Sequence, residues 1–526
     1  MQPQPPMPRW LWLIPFGIAA LRVLPWLASR ALDPLAADQA LLEMGFLPKD
    51  TLQYLAFAQQ TATDGGWLLA NPFTTTGQDD RFLLPLLSLL GSLAAQTGTA
   101  IITWLELSRF PLLLVYFAVL WKLLAGFFPD PRERALTCVL VGLAGGLEVL
   151  VKPLGGALPV PLDREMEQAT WQMSGWSLFA ASANPLWIAG AAGSLALLRP
   201  ILTPTGAIST RTTCAIAGGL FALYIIHPYS AVAVLAIALS LPALALALWI
   251  PPDWARWRRL GLAVATGTVL IGCLATWQRA DPVFAESAGS ALGTQQLSPF
   301  WYPLVLGGLC VLALRGARTW VEGTHPMRFA LLAWLLTAVF LHTSTLLNGY
   351  HFASQLHLPL CILAAPAFFE AWHGAQQGRR GARVLCAVTL AAPLLMTAES
   401  ITRIRTTHII PAETSAIIAT LEARPAGNVL VGARLGNVLP AYTQHRVYVG
   451  HHFLTPEYNT RRREIIALSS DPAQADALTS FVRDHRIRYA LLPRELAASG
   501  IATLTPLATK TQEIGRYTLL ELGAPG

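Results

Sequence analysis

Three short stretches carry the side chains best suited to chemistry. In "PKDTLQYLAFAQQTATDGG" (48–66), Asp50 and Tyr54 stand four residues apart at the start of an amphipathic helix. A carboxylate there can accept the proton of an attacking hydroxyl. It can equally serve as an N-terminal cap that complements the helix dipole. "HPYS" (227–230) supplies His227 and Tyr229, and "NGYHFASQLHLPL" (348–360) supplies His351, Gln355 and His357. Imidazole, phenol and amide groups beside an apolar run either anchor the chain at a membrane surface or donate hydrogen bonds to a polar ligand there. Glu106 and Arg109 are spaced to pair on one helical face. Asn184 lies in "ANPLW", and Glu165 and Glu167 lie in a loop just before it.

Those side chains must be held by a membrane scaffold. The 526 residues are 54% hydrophobic and only 13% charged, against about a quarter charged in an ordinary soluble domain. The apolar residues come in membrane-length runs, which predicts a mainly α, polytopic transmembrane helix bundle. About eleven spans are expected, near 10–28, 100–127, 135–151, 174–198, 213–227, 230–250, 260–277, 299–315, 327–346, 356–372 and 384–398. The first apolar stretch reads as a retained span rather than a cleaved signal. The six cysteines fall in apolar segments without metal spacing. The net charge of +7 comes from arginines in short loops and gives no nucleic-acid footprint.

Those arginines set the orientation. Arg132 and Arg134, then Arg199 and Arg211, then Arg256, Arg258 and Arg259, then Arg315, Arg318 and Arg328, then Arg379, Arg380 and Arg383 mark five loops as cytoplasmic. This requires one crossing at 100–127, with 82–97 lying along the outer surface. The N-terminus is then inside. An outward loop over 29–99 carries juxtamembrane helices, the first (50–66) with its Leu52, Leu55, Ala56 and Phe57 face laid on the bilayer. Glu106, Arg109, Asn184, His227, His342, His351 and His357 all fall toward the outer surface. Intramembrane ionisable groups are costly and mark function or paired structure. A one-sided distribution suits a site in the outer leaflet better than a transport path.

The domain division follows: 1–398 is the transmembrane part and 399–526 a small extramembrane α/β domain. "NVLVGA" (428–433), "RVYVG" (446–450), "IRYALLP" (487–493) and "RYTLLEL" (516–522) read as strands. "DPAQADALTSFVRDH" (471–485) reads as a capped amphipathic helix. His445, His451 and His452 cluster in "QHRVYVGHH" but lack a distant ligand, so no metal site is assigned. Adjacent Asp79 and Asp80 are the place where a divalent cation could sit.

The ordered segments "DTLQYLAFAQQTATDGGWLLANPFTT", "ANPLW", "HPYS", "LHLPLCILAA" and "LPAYTQHRVYVGHHFLTPEY" resemble the GT-C superfamily of membrane glycosyltransferases, in its bacterial protein-mannosyltransferase/ArnT-like branch. The resemblance implies transfer of a sugar from a polyprenyl-phosphate-linked donor to an acceptor (glycan, lipid or protein) on the outer face of a bacterial inner membrane. It puts Asp50 in the place of the catalytic acidic residue, as general base. Tyr54, Glu106, Arg109, Glu167, Asn184, His227, Tyr229, His351, Gln355 and His357 would bind substrate. Relatives often carry arginine just before the "LHLPL" segment, and this chain has none there. Two other classes fit the same chain: a transporter or flippase of lipid-linked glycans, and a non-catalytic membrane scaffold of the same fold.

Overall fold

The computed structural model describes residues 6–32, 40–41, 48–145, 184–203, 208–251, 253–291, 302–323, 325–344, 349–373, 383–391 and 409–523. The chain is mainly helical. Helices occupy the described part of every stretch expected to span. They are α1 (Leu13–Leu32), α4 (Ile101–Leu124), α5 (Pro131–Leu143), α6 (Pro185–Leu202), α7 (Thr210–Ile226), α8 (Pro228–Ala247), α9 (Trp254–Arg279), α11 (Tyr302–Glu322), α12 (Arg328–Thr343), α13 (Ala353–His373) and α14 (383–391), with α10 (Pro282–Ala291) following α9. Among the described residues, four are long and apolar enough to cross a membrane: α4, α6, α8 and α9.

Local sequence fixes where several of these helices begin. Asp130, Asn184, Ser209 and Asp253 are N-caps whose side chains accept a backbone N–H from the first turn of α5, α6, α7 and α9. Each satisfies a donor that the helix itself leaves open. Proline opens α5, α6 and α8, where its fixed φ suits the first turn and its missing N–H costs nothing.

Two further helices, α2 (Pro48–Asp64) and α3 (Pro85–Thr97), pack against each other between α1 and α4 in sequence. At 13 residues, α3 is about 20 Å long, too short for a hydrocarbon core of about 30 Å. Gly91 lets it press on α2: a Cβ there would run into the carbonyl of Ala58. The apolar face of α2 differs from expectation. Leu52, Leu55, Ala56 and Phe57 are buried in protein, in one cluster with Leu87 and Leu90 of α3 and Leu439 and Ala441 of the C-terminal region. A stripe at helical spacing shows that a face is covered but not by what, so the bilayer assigned to it is replaced by protein.

Residues 409–523 build a five-stranded mixed sheet. Its strands are β1 (Asn428–Val431), β2 (Arg446–Val447), β3 (Ile487–Pro493), β4 (Ala508–Ile514) and β5 (Tyr517–Leu522), in the order β2-β1-β3-β5-β4. β1 runs parallel to β2 and β3, while β5 is antiparallel to β3 and β4. Strand alternation sorts the side chains. Val429, Val431, Tyr489, Leu491 and Leu519 join the cluster that holds α2 and α3. Leu430, Ala490, Leu492, Leu520 and Leu522 pack under helices 458–470, 475–484 and 498–504. The sheet is therefore buried on both faces, and one of those faces rests on the helical part of the chain. β4 was not expected. As an edge strand in which only Ile514 is buried and the rest are exposed or half-buried, it shows no apolar alternation to read.

Candidate functional site

The expected polar residues divide into a group that gathers at one end of the bundle and others that do not join it. The gathering point is the junction of α7 and α8. His227 is at once the C-cap of α7 and the N-cap of α8, because Pro228 cannot donate the N–H that would continue α7. Its Nδ1 lies 2.8 Å from Ser230 Oγ. Trp187, in the first turn of α6, meets His227 edge-on at 6.2 Å and His351 at 5.8 Å between ring centroids. Tyr229 stacks on His351 at 3.8 Å with an 11° interplanar angle and meets Phe352 at 5.9 Å. His351 and Phe352 come from the 3-10 turn Gly349–Phe352 ahead of α13, a turn tied to α12 by His342 Nδ1 and the Gly349 carbonyl at 2.6 Å.

Gly190 is the packing device that admits this group. A Cβ at that position would lie 2.7 Å from His227 Cβ and 2.9 Å from Ser230 Oγ. Only a residue without a side chain lets α6 approach the α7–α8 junction so closely. The first turns of α6 and α8 thus share His227 as a neighbour. Helix N-termini favour negative charge. Asn184 caps α6 through Oδ1, which accepts from Leu186 N at 2.8 Å. Its Nδ2 is buried and has no hydrogen-bond partner among the described residues. Two helix N-termini, a spare amide donor, two imidazoles and a phenol form a setting that can receive an anionic or hydroxyl-bearing ligand.

Helix α2 reaches the same end. Tyr54 of α2, Leu105 of α4, Leu186 of α6 and Ile226 of α7 belong to or pack against one apolar cluster. Glu106 and Arg109 sit in the first turns of α4 and pair as their spacing predicts, Nη2 to Oε1 at 3.1 Å, with Arg109 only 3% exposed. Asp50 occupies the first turn of α2; its side chain lies outside the described residues, as do Glu165, Glu167, Asn348 and the Tyr350 side chain.

Other expectations are corrected. Among the described contacts His357 does not join the Trp187–His227–Tyr229–His351 group. It lies inside α13, 2% exposed, with Nε2 3.1 Å from the Ala144 carbonyl at the end of α5. It fastens α13 to α5, since a buried helix-end carbonyl needs a donor. The helix begins at Ala353, so His357 is already a full turn inside it. Asn184 is a cap ahead of α6 rather than a residue within a span. Gln355 is buried in the first turn of α13, and its Oε1 has no hydrogen-bond partner among the described residues. Asp79, one carboxylate of the pair suggested for a cation, accepts from Arg81 Nη2 at 2.7 Å. His445 is enclosed between the carbonyls of Leu421 and Gly427. Among the described residues no group of three or more His, Cys, Asp or Glu could hold a metal.

A second polar assembly went unread in the sequence. Asn71, fully buried, donates from Nδ2 to the Leu454 carbonyl at 2.6 Å and to Ser287 Oγ at 3.2 Å, and its Oδ1 accepts from Phe73 N at 2.9 Å. Arg461 donates to Thr74 Oγ1 at 2.8 Å and Thr76 Oγ1 at 2.9 Å. Phe73 packs against His451. The loop before α3, α10 and the C-terminal sheet region are clasped together by these contacts. The adjacent "NPFTT" and the distant "HHFLTPEY" were visible as motifs, but nothing local pairs them.

No protein-family model and no curated protein matches the sequence. Solved structures do resemble it. The mycobacterial arabinofuranosyltransferase AftD matches with a TM-score of 0.57 at 16% identity, over 97% of this chain and 42% of that one. The Archaeoglobus fulgidus oligosaccharyltransferase, in a structure with zinc and sulfate, matches with a TM-score of 0.52 at 11% identity, over 97% of this chain and 73% of that one. Both are GT-C glycosyltransferases. The chain shares their fold over nearly its full length. It spans about two fifths of AftD.

Proposed function

We propose that the chain is a multi-pass membrane glycosyltransferase. It moves a sugar from a polyprenyl-phosphate-linked donor to an acceptor on the outer face of a bacterial inner membrane. Eleven crossings leave the N-terminus in the cytoplasm and 399–526 outside. The observation that carries this reading is the gathering of α2, the starts of α4 and α6 and the end of α7 in one cluster, beside the Trp187–His227–Tyr229–His351 group. A site of this kind lies at one end of the bundle rather than along its length, which favours transfer at a surface over transport through it. The shared GT-C fold supports the reaction class.

In the reaction, the acceptor oxygen attacks the anomeric carbon as Asp50 accepts its proton. The bond from that carbon to the phosphate oxygen breaks, and polyprenyl phosphate leaves with the electron pair. The leaving group is already a stable anion, so no strong general acid is required. Asn184 Nδ2, His227 and His351, with the first turns of α6 and α8, stabilise the phosphate charge. Arg109 holds Glu106 in an ion pair at the edge of the site.

The test uses purified full-length protein in lipid nanodiscs with a panel of labelled polyprenyl-phosphate sugars. Asp50→Asn is expected to lower kcat by about 100-fold or more, the ordinary contribution of a general base, with donor binding retained. Equal kcat in wild type and Asp50→Asn removes Asp50 from the mechanism.

A further inference from the structure

The far side of the bundle holds a groove of about 520 Å³ that the transfer reaction does not use. Arg132, Leu136 and Val139 line it from α5, at i, i+4 and i+7 on one helical face. Phe368 and Trp372 line it from α13, their rings stacked at 6.0 Å and 18°. Trp10 completes it from the 3-10 turn Arg9–Trp12. The floor is apolar, and one cation stands at the end of the α5 wall. Trp10 and Trp372 are half exposed, 50% and 55%, as tryptophans are where hydrocarbon meets headgroups. Arg9, next to Trp10, is exposed, and so is Arg383, whose Nε donates to the Ala371 carbonyl beside Trp372 at 3.2 Å. The carboxylate of Asp130 is already engaged in capping α5 through Arg132 N at 2.8 Å.

The geometry points to a binding site for one anionic phospholipid on the cytoplasmic side, its phosphate at Arg132 and one acyl chain along the Leu136–Val139 and Phe368–Trp372 walls. Charge complementarity selects this occupant. Among the described residues Arg132 is the one charged side chain lining an otherwise apolar slot, and basic pockets between helices on the cytoplasmic side take anionic headgroups. A zwitterionic lipid would fill the same slot but bring no net charge to the rim. The site requires a chain embedded in a bilayer, as proposed above. Its readout is bound lipid rather than sugar transfer, so either reading can fail alone.

Native mass spectrometry of the full-length protein in detergent, with added phosphatidylglycerol or phosphatidylcholine of identical chains, tests it. Wild type is expected to retain one phosphatidylglycerol in preference to phosphatidylcholine. Arg132→Gln, an exposed position, is expected to reduce that preference about fivefold. Val139→Trp, which fills the slot from a half-buried position, is expected to abolish retention of both lipids. Arg258→Gln, an exposed cytoplasmic arginine outside the groove, should behave as wild type. Equal retention of the two lipids by wild type, an unchanged preference in Arg132→Gln, undiminished retention in Val139→Trp, or a second copy of the chain displacing the lipid would overturn the assignment.

Discussion

Removing the Asn71 side chain tests whether the loop between α2 and α3 is held to the C-terminal sheet region as the contacts imply. Asn71→Ala deletes three buried hydrogen bonds: to the Leu454 carbonyl, to Ser287 Oγ and from Phe73 N. The Leu454 carbonyl keeps Ser287 Oγ at 3.2 Å, so losing that bond and the Ser287 contact costs about 1 kcal/mol each. Phe73 N–H has no second partner among the described contacts. Leaving it buried and unsatisfied costs about 1–3 kcal/mol more. The sum, about 3 kcal/mol at the low end, lowers the free energy of local opening by the same amount. Amide exchange across the clasp should then quicken about a hundredfold, at 1.4 kcal/mol per decade. The assay is hydrogen–deuterium exchange on Phe73, Val447 and Gly450, whose amides bond to Asn71, to the Pro72 carbonyl and to Thr455 Oγ1. Ser287→Ala loses two contacts at 3.2 Å, about 2 kcal/mol together, and should quicken exchange by no more than about thirtyfold. If Asn71→Ala exchanged at the wild-type rate at all three amides, the clasp would not be what holds these segments together.

Two further outcomes are expected. Gly190→Ala forces a methyl to within 2.7 Å of His227 Cβ; overpacking of this kind costs about 1–3 kcal/mol and displaces the imidazole, so both melting temperature in detergent and transfer activity should fall, and a variant matching wild type in both would refute the packing role. Burial holds the His445 pKa below the ordinary histidine value, against the opposing pull of the Leu421 and Gly427 carbonyls; the unfolded chain therefore binds the proton more readily, so stability is complete above about pH 6.5 and is lost as pH falls toward the folded-state pKa. His485 shifts the same way, also by burial, so His445→Gln should flatten the pH dependence of unfolding in part, and an unchanged slope would show that His445 does not titrate with folding.

How much was legible depends on whether a feature is local. The Glu106–Arg109 pair was legible because three-residue spacing on a helix brings the side chains together whatever surrounds them. The strand at Ile487–Pro493 and the helix at Ala475–Asp484 announce themselves by apolar pattern, whereas Asp471, the expected cap, accepts from Ala473 N in the 3-10 turn Pro472–Gln474 ahead of that helix. His227 marks a helix junction because a proline follows it. His357 misled because its neighbours in sequence are those of a boundary residue, while the group that engages it, the Ala144 carbonyl, is 213 positions away. Trp187 stood in a quoted motif without being singled out, since only the approach of α6 through Gly190 makes it a neighbour of both histidines.

The sequence by itself determined the apolar helices, their caps and prolines, and the separate strand-rich end. All of these follow from residue period, missing donors and side-chain branching within a turn or two. It also determined that polar side chains crowd toward one set of helix ends. Tertiary structure alone decided what covers each apolar face, so that α2 lies against the sheet and α3 instead of lipid. It alone brought Trp187, Tyr229 and His351 into contact, buried His357, and tied Asn71 to Leu454. Burial and hydrogen bonding between distant segments depend on which surfaces meet, and periodicity specifies that a surface must be covered without naming its partner.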